Sequence, residues 1–205
     1  MESAIRAFRL MKSAITADYI QTCRYGDKYH SEHSRPRTLP ADIVQKIGLQ
    51  MLVAVRLMQA MEAAKWPILP QVVSRLIRHV YGAEIHWRAK IEPGIAIVHG
   101  CGLVISHAAS VGRGTILFQN VTLGESMDSD TRQIGAPRIG RDVHIGPGAT
   151  IIGPVTVGDR TKIMAGVVLT HSVPPDSLVR PSDTIIATRR SATKGSFEPA
   201  DTDTA

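Results

Sequence analysis

The sequence predicts a parallel β-solenoid entered from an α-helical N-terminal region, and three observations carry that prediction. Thirteen aliphatic or small residues recur at every sixth position: Ile85, Ile91, Ile97, Leu103, Ala109, Thr115 and Val121, then Ile139, Ile145, Ile151, Val157, Ile163 and Leu169. A period of six fits neither an amphipathic helix nor a simply alternating strand, so a short strand and a turn must repeat as one unit. Aromatic residues make up only 4% of the 205 residues while Gly is plentiful, which suits coils filled by Ile, Val, Leu and Ala. Ahead of the first repeat, Ile43, Ile47, Met51, Val55, Met58 and Met61 fall three or four apart and form one apolar helical stripe.

Taken in order, residues 1–25 pattern as a helix, and the basic, Pro-containing stretch 26–40 reads as a connection. Residues 42–64 carry the clearest helix, whose methionines read as core. Pro67 and Pro70 break it, and 72–80 reads as a short helix delivering the chain to the first coil. Val121 and Ile139 are eighteen residues apart, a multiple of six, so the register is expected to survive while 125–138 leaves the pattern as an ejected loop. The division is therefore a helical region over 1–82, a solenoid over 83–188 and a flexible, polar tail over 189–205. The helices are placed to cover the open edge of the first coil.

The formal charge of +6 comes from scattered basic residues that never alternate with aromatics, which argues against nucleic acid. Cys23 and Cys101 lie too far apart in different segments to suggest a disulfide framework. The N-terminus lacks a signal-peptide layout, and the longest uncharged apolar stretch, 47–55, is too short for a membrane span. A cytoplasmic protein is expected.

The hexads IGRDVH, IGPGAT and VGDRTK resemble the hexapeptide acyltransferases, which implies a left-handed parallel β-helix. Within that superfamily EIHWRAKIEPG, VHGCGLVI, NVTLGES, IGAPRIGRDVHIGPGATIIGPVTVGDRTKIMAGVVL and SVPPDS are similar to the serine acetyltransferase branch over residues 84–177. Some sugar O-acetyltransferases share these phrases. The resemblance implies acetyl-CoA as co-substrate, no metal and a homotrimer, with the N-terminal helices able to join trimers into a hexamer.

His99 is one of eight histidines, and spacing alone does not distinguish it. The resemblance makes it the catalytic base, with Glu84, fifteen residues earlier, standing where the family has an Asp that orients the imidazole. It also implies an oxyanion donor in a VTLG turn, at the Gly124 N–H. Pro147, Lys162, Ala165 and Gly166 match positions along the CoA groove, Lys162 as a phosphate partner. Cys101 falls at a small, inward hexad position and reads as core rather than as a nucleophile.

Two family features are missing. Serine acetyltransferases carry an Asp before the catalytic His, where this chain has Val98. They also carry an Arg-His pair at the end of the loop, where it has Gly135 and Ala136. Loss of a counter-charge for a desolvated ammonium group is costly, so the expected acceptor is a sugar or modified amino acid, with Asp128, Asp130 and Arg132 as replacement contacts. The alternative is a genuine L-serine O-acetyltransferase of cysteine biosynthesis. Lesser readings are a non-catalytic scaffold and a zinc enzyme of the left-handed-helix carbonic anhydrase kind. The zinc reading is disfavoured because His99, His107 and His144 occupy different hexad positions.

Overall fold

The computed structural model describes residues 2–29, 38–127 and 132–181. Four helices, α1 (Glu2–Tyr29), α2 (Leu39–Gln45), α3 (Ile47–Ala63) and α4 (Leu69–Tyr81), lead into five stacked coils. The first coil is β1 (Glu84–Ile85), β2 (Lys90–Ile91) and β3 (Ala96–Val98), and the second is β4 (Val104–Ile105), β5 (Ser110–Val111) and β6 (Ile116–Phe118). The third holds β7 (Thr122–Gly124), an antiparallel hairpin of β8 (Ser126–Met127) and β9 (Ile134–Gly135), then β10 (Arg138–Ile139) and β11 (His144–Ile145). Strands β12 (Thr150–Ile152), β13 (Thr156–Val157) and β14 (Lys162–Ile163) form the fourth coil, and β15 (Val168–Leu169) and β16 (Leu178–Val179) the fifth. Strands stack in parallel into a first face (β1, β4, β7, β12, β15), a second (β2, β5, β10, β13) and a third (β3, β6, β11, β14, β16).

The hexad phase differs from the sequence expectation. Ile85 pairs with Ile105, twenty residues on, whereas Ile105 pairs with Leu123, eighteen on. The first coil therefore holds two extra residues, all of them between Ile97 and Ile105 at the turn that contains His99. Beyond that turn the inward aliphatic series continues as Ile105, Val111, Leu117 and Leu123, all buried. Leu103, Ala109, Thr115 and Val121 belong instead to a second inward series two residues earlier, with Ala83, Ala89, Ile95, Val143, Ala149 and Val155. Leu123 pairs with Ile151, twenty-eight residues on, so the hairpin adds ten residues and the eighteen-residue gap from Val121 to Ile139 joins two different series. Each coil thus places two side chains per face in the interior. Full burial of each aliphatic contributes about 1.5–3 kcal/mol, and the buried hydroxyl of Thr115 donates to the Gly140 carbonyl at 3.2 Å.

The helix expected over 42–64 is two helices, broken at Lys46, whose backbone is extended (φ −107°, ψ 105°). The apolar stripe divides accordingly: Ile47 stays 55% exposed, while Met51, Val55 and Met58 are buried against the solenoid. Helix α1 runs to Tyr29, beyond the expected 25. Most of the expected connection, 30–37, and the tail, 189–205, lie outside the described residues.

Arg56 of α3 fastens the helices to the first coil. It is 2% exposed, and all five guanidinium N–H groups are used. Nε and Nη2 donate to Asp18 of α1 at 2.7 and 2.9 Å. Nη1 donates to the Ile91 carbonyl and to Gln59 Oε1, each at 2.7 Å, and Nη2 also donates to the Glu92 carbonyl at 2.8 Å. Asp18 in turn accepts from the Gly94 and Ile95 N–H groups at 2.8 and 3.0 Å. Removing one partner of such a pair strands a buried charge, so Asp18→Ala is expected to lower stability by about 3–5 kcal/mol. Urea denaturation reads this as a lower midpoint, and a loss under about 1 kcal/mol would contradict the role given to the clamp.

Candidate active site

The site is built on the edge where the third face turns into the first. Strand β3 ends at Val98, and His99 then takes left-handed backbone (φ 59°), a conformation that costs a non-glycine residue energy and persists only where its surroundings impose it. The Cys101 N–H returns to the His99 carbonyl, and the Gly102 N–H donates to Gly82 at 2.9 Å. Helix α3 supports this turn from behind. A Cβ on Gly48 would collide with the Ile97 carbonyl, so that close approach requires glycine, and one on Gly100 would force the end of the Met51 side chain to move. The His99 side chain is left exposed, and among the described residues no hydrogen bond engages it.

Glu84 opens β1 just past Gly82, next to this edge. Its carboxylate is held by Arg78 from the last turn of α4, Nη2 to Oε2 at 2.7 Å, and among the described residues no bond joins it to His99. With both side chains half or more exposed, that ion pair is worth at most about 1 kcal/mol.

The expected cofactor positions fall on the same edge. One hydrogen bond per coil runs along it: Asn120 N–H to Cys101 O at 2.9 Å, Gly148 N–H to Gln119 O at 3.0 Å, and Gly166 N–H to Pro147 O at 2.9 Å. Pro147, Ala165 and Gly166 therefore lie two and three coils from His99, the farthest about 14 Å away at ~4.8 Å per coil. Gly148 and Gly166 have φ of 68° and 70°, and a Cβ on either would meet no protein atom within 4 Å. At these two glycines the edge is bare, open backbone. Lys162 is exposed on β14 of the third face, in register with His144.

Other expectations change. VTLG is strand β7 rather than a turn, with Gly124 paired to Ile152 and its carbonyl accepting from the Gly153 N–H at 3.1 Å. Cys101 is exposed, because the two extra residues move it out of the inward series and onto the His99 turn. The ejected loop is the β8–β9 hairpin; Arg132 lies exposed in its connecting loop, two residues before β9 (φ 58°), and Asp128 and Asp130 lie outside the described residues. Gly135 packs so closely on Pro154 that a Cβ would sit 2.7 Å from the proline ring, and Ala136 is buried. His107 sits on the opposite edge of the first face, 3.5 Å from Glu125 and beside the stacked His86 and Trp87 rings. Burial and then the neighbouring His107 and Arg88 push His86 below the usual histidine range. His144 lies on the third face against Phe118, and burial, Lys162 and Lys28 lower its pKa. The sequence reading overlooked Gln119, whose place becomes clear only once the two extra residues at His99 are counted.

This architecture is a hexapeptide-repeat left-handed parallel β-helix with a helical N-terminal region, a fold of acyltransferases. Residues 136–171 match the bacterial transferase hexapeptide (six repeats) family. The chain is 35% identical over 132 residues to a serine acetyltransferase of Synechococcus elongatus, a match that covers 64% of this chain and 53% of that protein. It is 33% identical over 130 residues to a serine acetyltransferase of Helicobacter pylori, covering 63% of this chain and 75% of the relative. The serine acetyltransferase of Neisseria gonorrhoeae, solved in complex with serine, superposes with a TM-score of 0.73 at 24% identity, covering 89% of this chain and 71% of that one. The chain belongs to the serine acetyltransferase family, although it spans about half the length of the cyanobacterial relative.

His144 yields a pH prediction. A histidine whose folded pKa lies below its unfolded value of about 6.5 contributes no penalty above that pH and costs stability as pH falls toward the folded value. Urea midpoints are therefore expected to drop between pH 7.5 and 5.5, and less steeply in His144→Asn. Equal slopes would show that His144 is protonated without cost in the fold.

Proposed function

We propose that the protein is an acetyl-CoA-dependent O-acetyltransferase with L-serine as its leading acceptor. The observation that supports this best is the placing of a strained, accessible histidine at one end of an open, glycine-bearing edge that also carries the expected CoA positions. Neutral His99 takes the proton of the acceptor hydroxyl, whose oxygen attacks the thioester carbonyl. The C–S bond then breaks, and the imidazolium returns its proton to the departing thiolate. A hydroxyl is a weak nucleophile at neutral pH, and a base within hydrogen-bond reach contributes roughly 10²–10⁴-fold. Glu84 orients the imidazole once it turns from Arg78 toward His99. Gly124 ends β7 at the far edge of the first face, so its expected role as oxyanion donor is exercised toward His99 of a neighbouring subunit, and Lys162 is the phosphate partner.

For the acceptor, the relatives are named for serine, and none of these similarities supports a sugar. Val98, Gly135 and Ala136 bring no charge to the site, so contacts to the serine amino and carboxylate groups fall to other residues, with Arg132, Asp128 and Asp130 as candidates. A homotrimer with CoA between subunits completes the reading, and the exposed Met164 and Val168 beside the edge favour a covered surface there. Pairing of trimers through the helices and a cytoplasmic location follow from the same family reading.

Purified protein with acetyl-CoA and a panel of L-serine, homoserine and sugars is expected to release CoA thiol fastest with serine, and His99→Ala is expected to lose at least about 10²-fold in kcat. Faster turnover of a sugar would overturn the acceptor assignment. Absence of turnover with every acceptor, or full activity in His99→Ala, would overturn the mechanism.

A further inference from the structure

Gln119 is a residue on this edge whose side-chain oxygen, Oε1, the fold leaves buried without a partner among the described residues. A buried amide oxygen in that condition costs free energy unless something donates to it. Phe118 is the register partner of Val98, so Gln119 follows β6 in the place where His99 follows β3, one coil along the edge. Its backbone carbonyl accepts from Gly148, which leaves the side-chain amide free of any role in the ladder. The adjacent Asn120 serves the turn instead, taking the left-handed position (φ 56°) with its side-chain oxygen against Gly102.

Gln119 as a whole is only half-buried, so its carboxamide can turn from that shielded position to meet an N–H donor arriving along the edge. In an acyl-CoA the thioester sulfur and the nearest amide nitrogen are separated by two methylenes, roughly 4 Å when extended. The coils repeat at ~4.8 Å. A thioester held at His99, with its arm running toward Pro147 and Gly166, brings that amide to the level of Gln119.

We propose that the Gln119 carboxamide oxygen accepts a hydrogen bond from the amide N–H nearest the thioester of the acyl-CoA donor and so sets the height of the thioester against His99. The assignment rests on the acetyl-transfer reading and makes Gln119 a donor-binding residue. Its oxygen discriminates arms that carry an N–H from arms that do not.

Calorimetric titration with CoA alone tests it. Gln119→Met, close in shape but without an acceptor, is expected to bind about tenfold more weakly while the acceptor KM and the pH profile stay unchanged. Unaltered CoA affinity, or a change confined to the acceptor KM as an interaction with the acceptor's own ammonium would give, overturns the assignment. A measurement on the unmodified protein guards against misfolding of the variant. S-acetyl-N-acetylcysteamine is expected to exceed S-acetyl-2-mercaptoethyl acetate, the ester without the N–H, about tenfold in kcat/KM, and equal use overturns the proposal. Failure of the unmodified protein to bind CoA at all overturns the transferase reading itself, whereas CoA binding indifferent to Gln119→Met overturns this assignment alone.

Discussion

Everything in this molecule depends on the parallel backbone ladder that ties each residue to its equivalent one coil away. The chain turns after every two- or three-residue strand, so no strand is long enough to be stable by itself. Order comes from the stack, with strand N–H groups bonded to the neighbouring coil and two inward side chains per face closing the interior. The consequence for function is geometric. Residues at one corner of successive coils must form a line, and on the edge between third and first faces that line is His99, Gln119, Pro147 and Gly166. A linear acyl carrier needs such a line, and the fold supplies it without a dedicated pocket.

One of the departures from perfect repetition lies at the turn proposed as catalytic. Two extra residues in the first coil carry His99 and Cys101 outward, with His99 in left-handed backbone. A turn of this kind would collapse if unsupported. Helix α3 holds it through the glycine contacts at Gly48 and Gly100, and the Asp18–Arg56 clamp fixes α3 and α1 to the same coil. The helical region thus covers the end of the solenoid and braces the catalytic turn with one set of contacts.

The fold was largely legible in the residues, because a six-residue period with inward Ile and Val has few other physical explanations. Its phase was less so. Leu103, Ala109, Thr115 and Val121 satisfy the period as well as their neighbours do, since both inward positions of a coil accept small or aliphatic residues, and a two-residue slip passes unnoticed along the string. That slip misplaced Cys101 and hid the alignment of Gln119 with His99. The helix break at Lys46 escaped for a similar reason: the apolar stripe continues across it, and only contact with the solenoid separates its exposed part from its buried part. His99 stood out through resemblance rather than spacing, and Arg78, which holds Glu84, gave no signal in sequence because the ion pair joins a helix end to a strand.

Hydrogen–deuterium exchange with and without CoA tests the central claim, that one edge of the solenoid carries the donor, most directly. Protection is expected in peptides covering residues 99–102, 119–120, 146–148 and 164–166, with none in the turns at 112–114, 140–142 and 158–160 on the edge between second and third faces. Protection concentrated in those latter turns, or confined to the helices, would place the donor elsewhere and contradict the account.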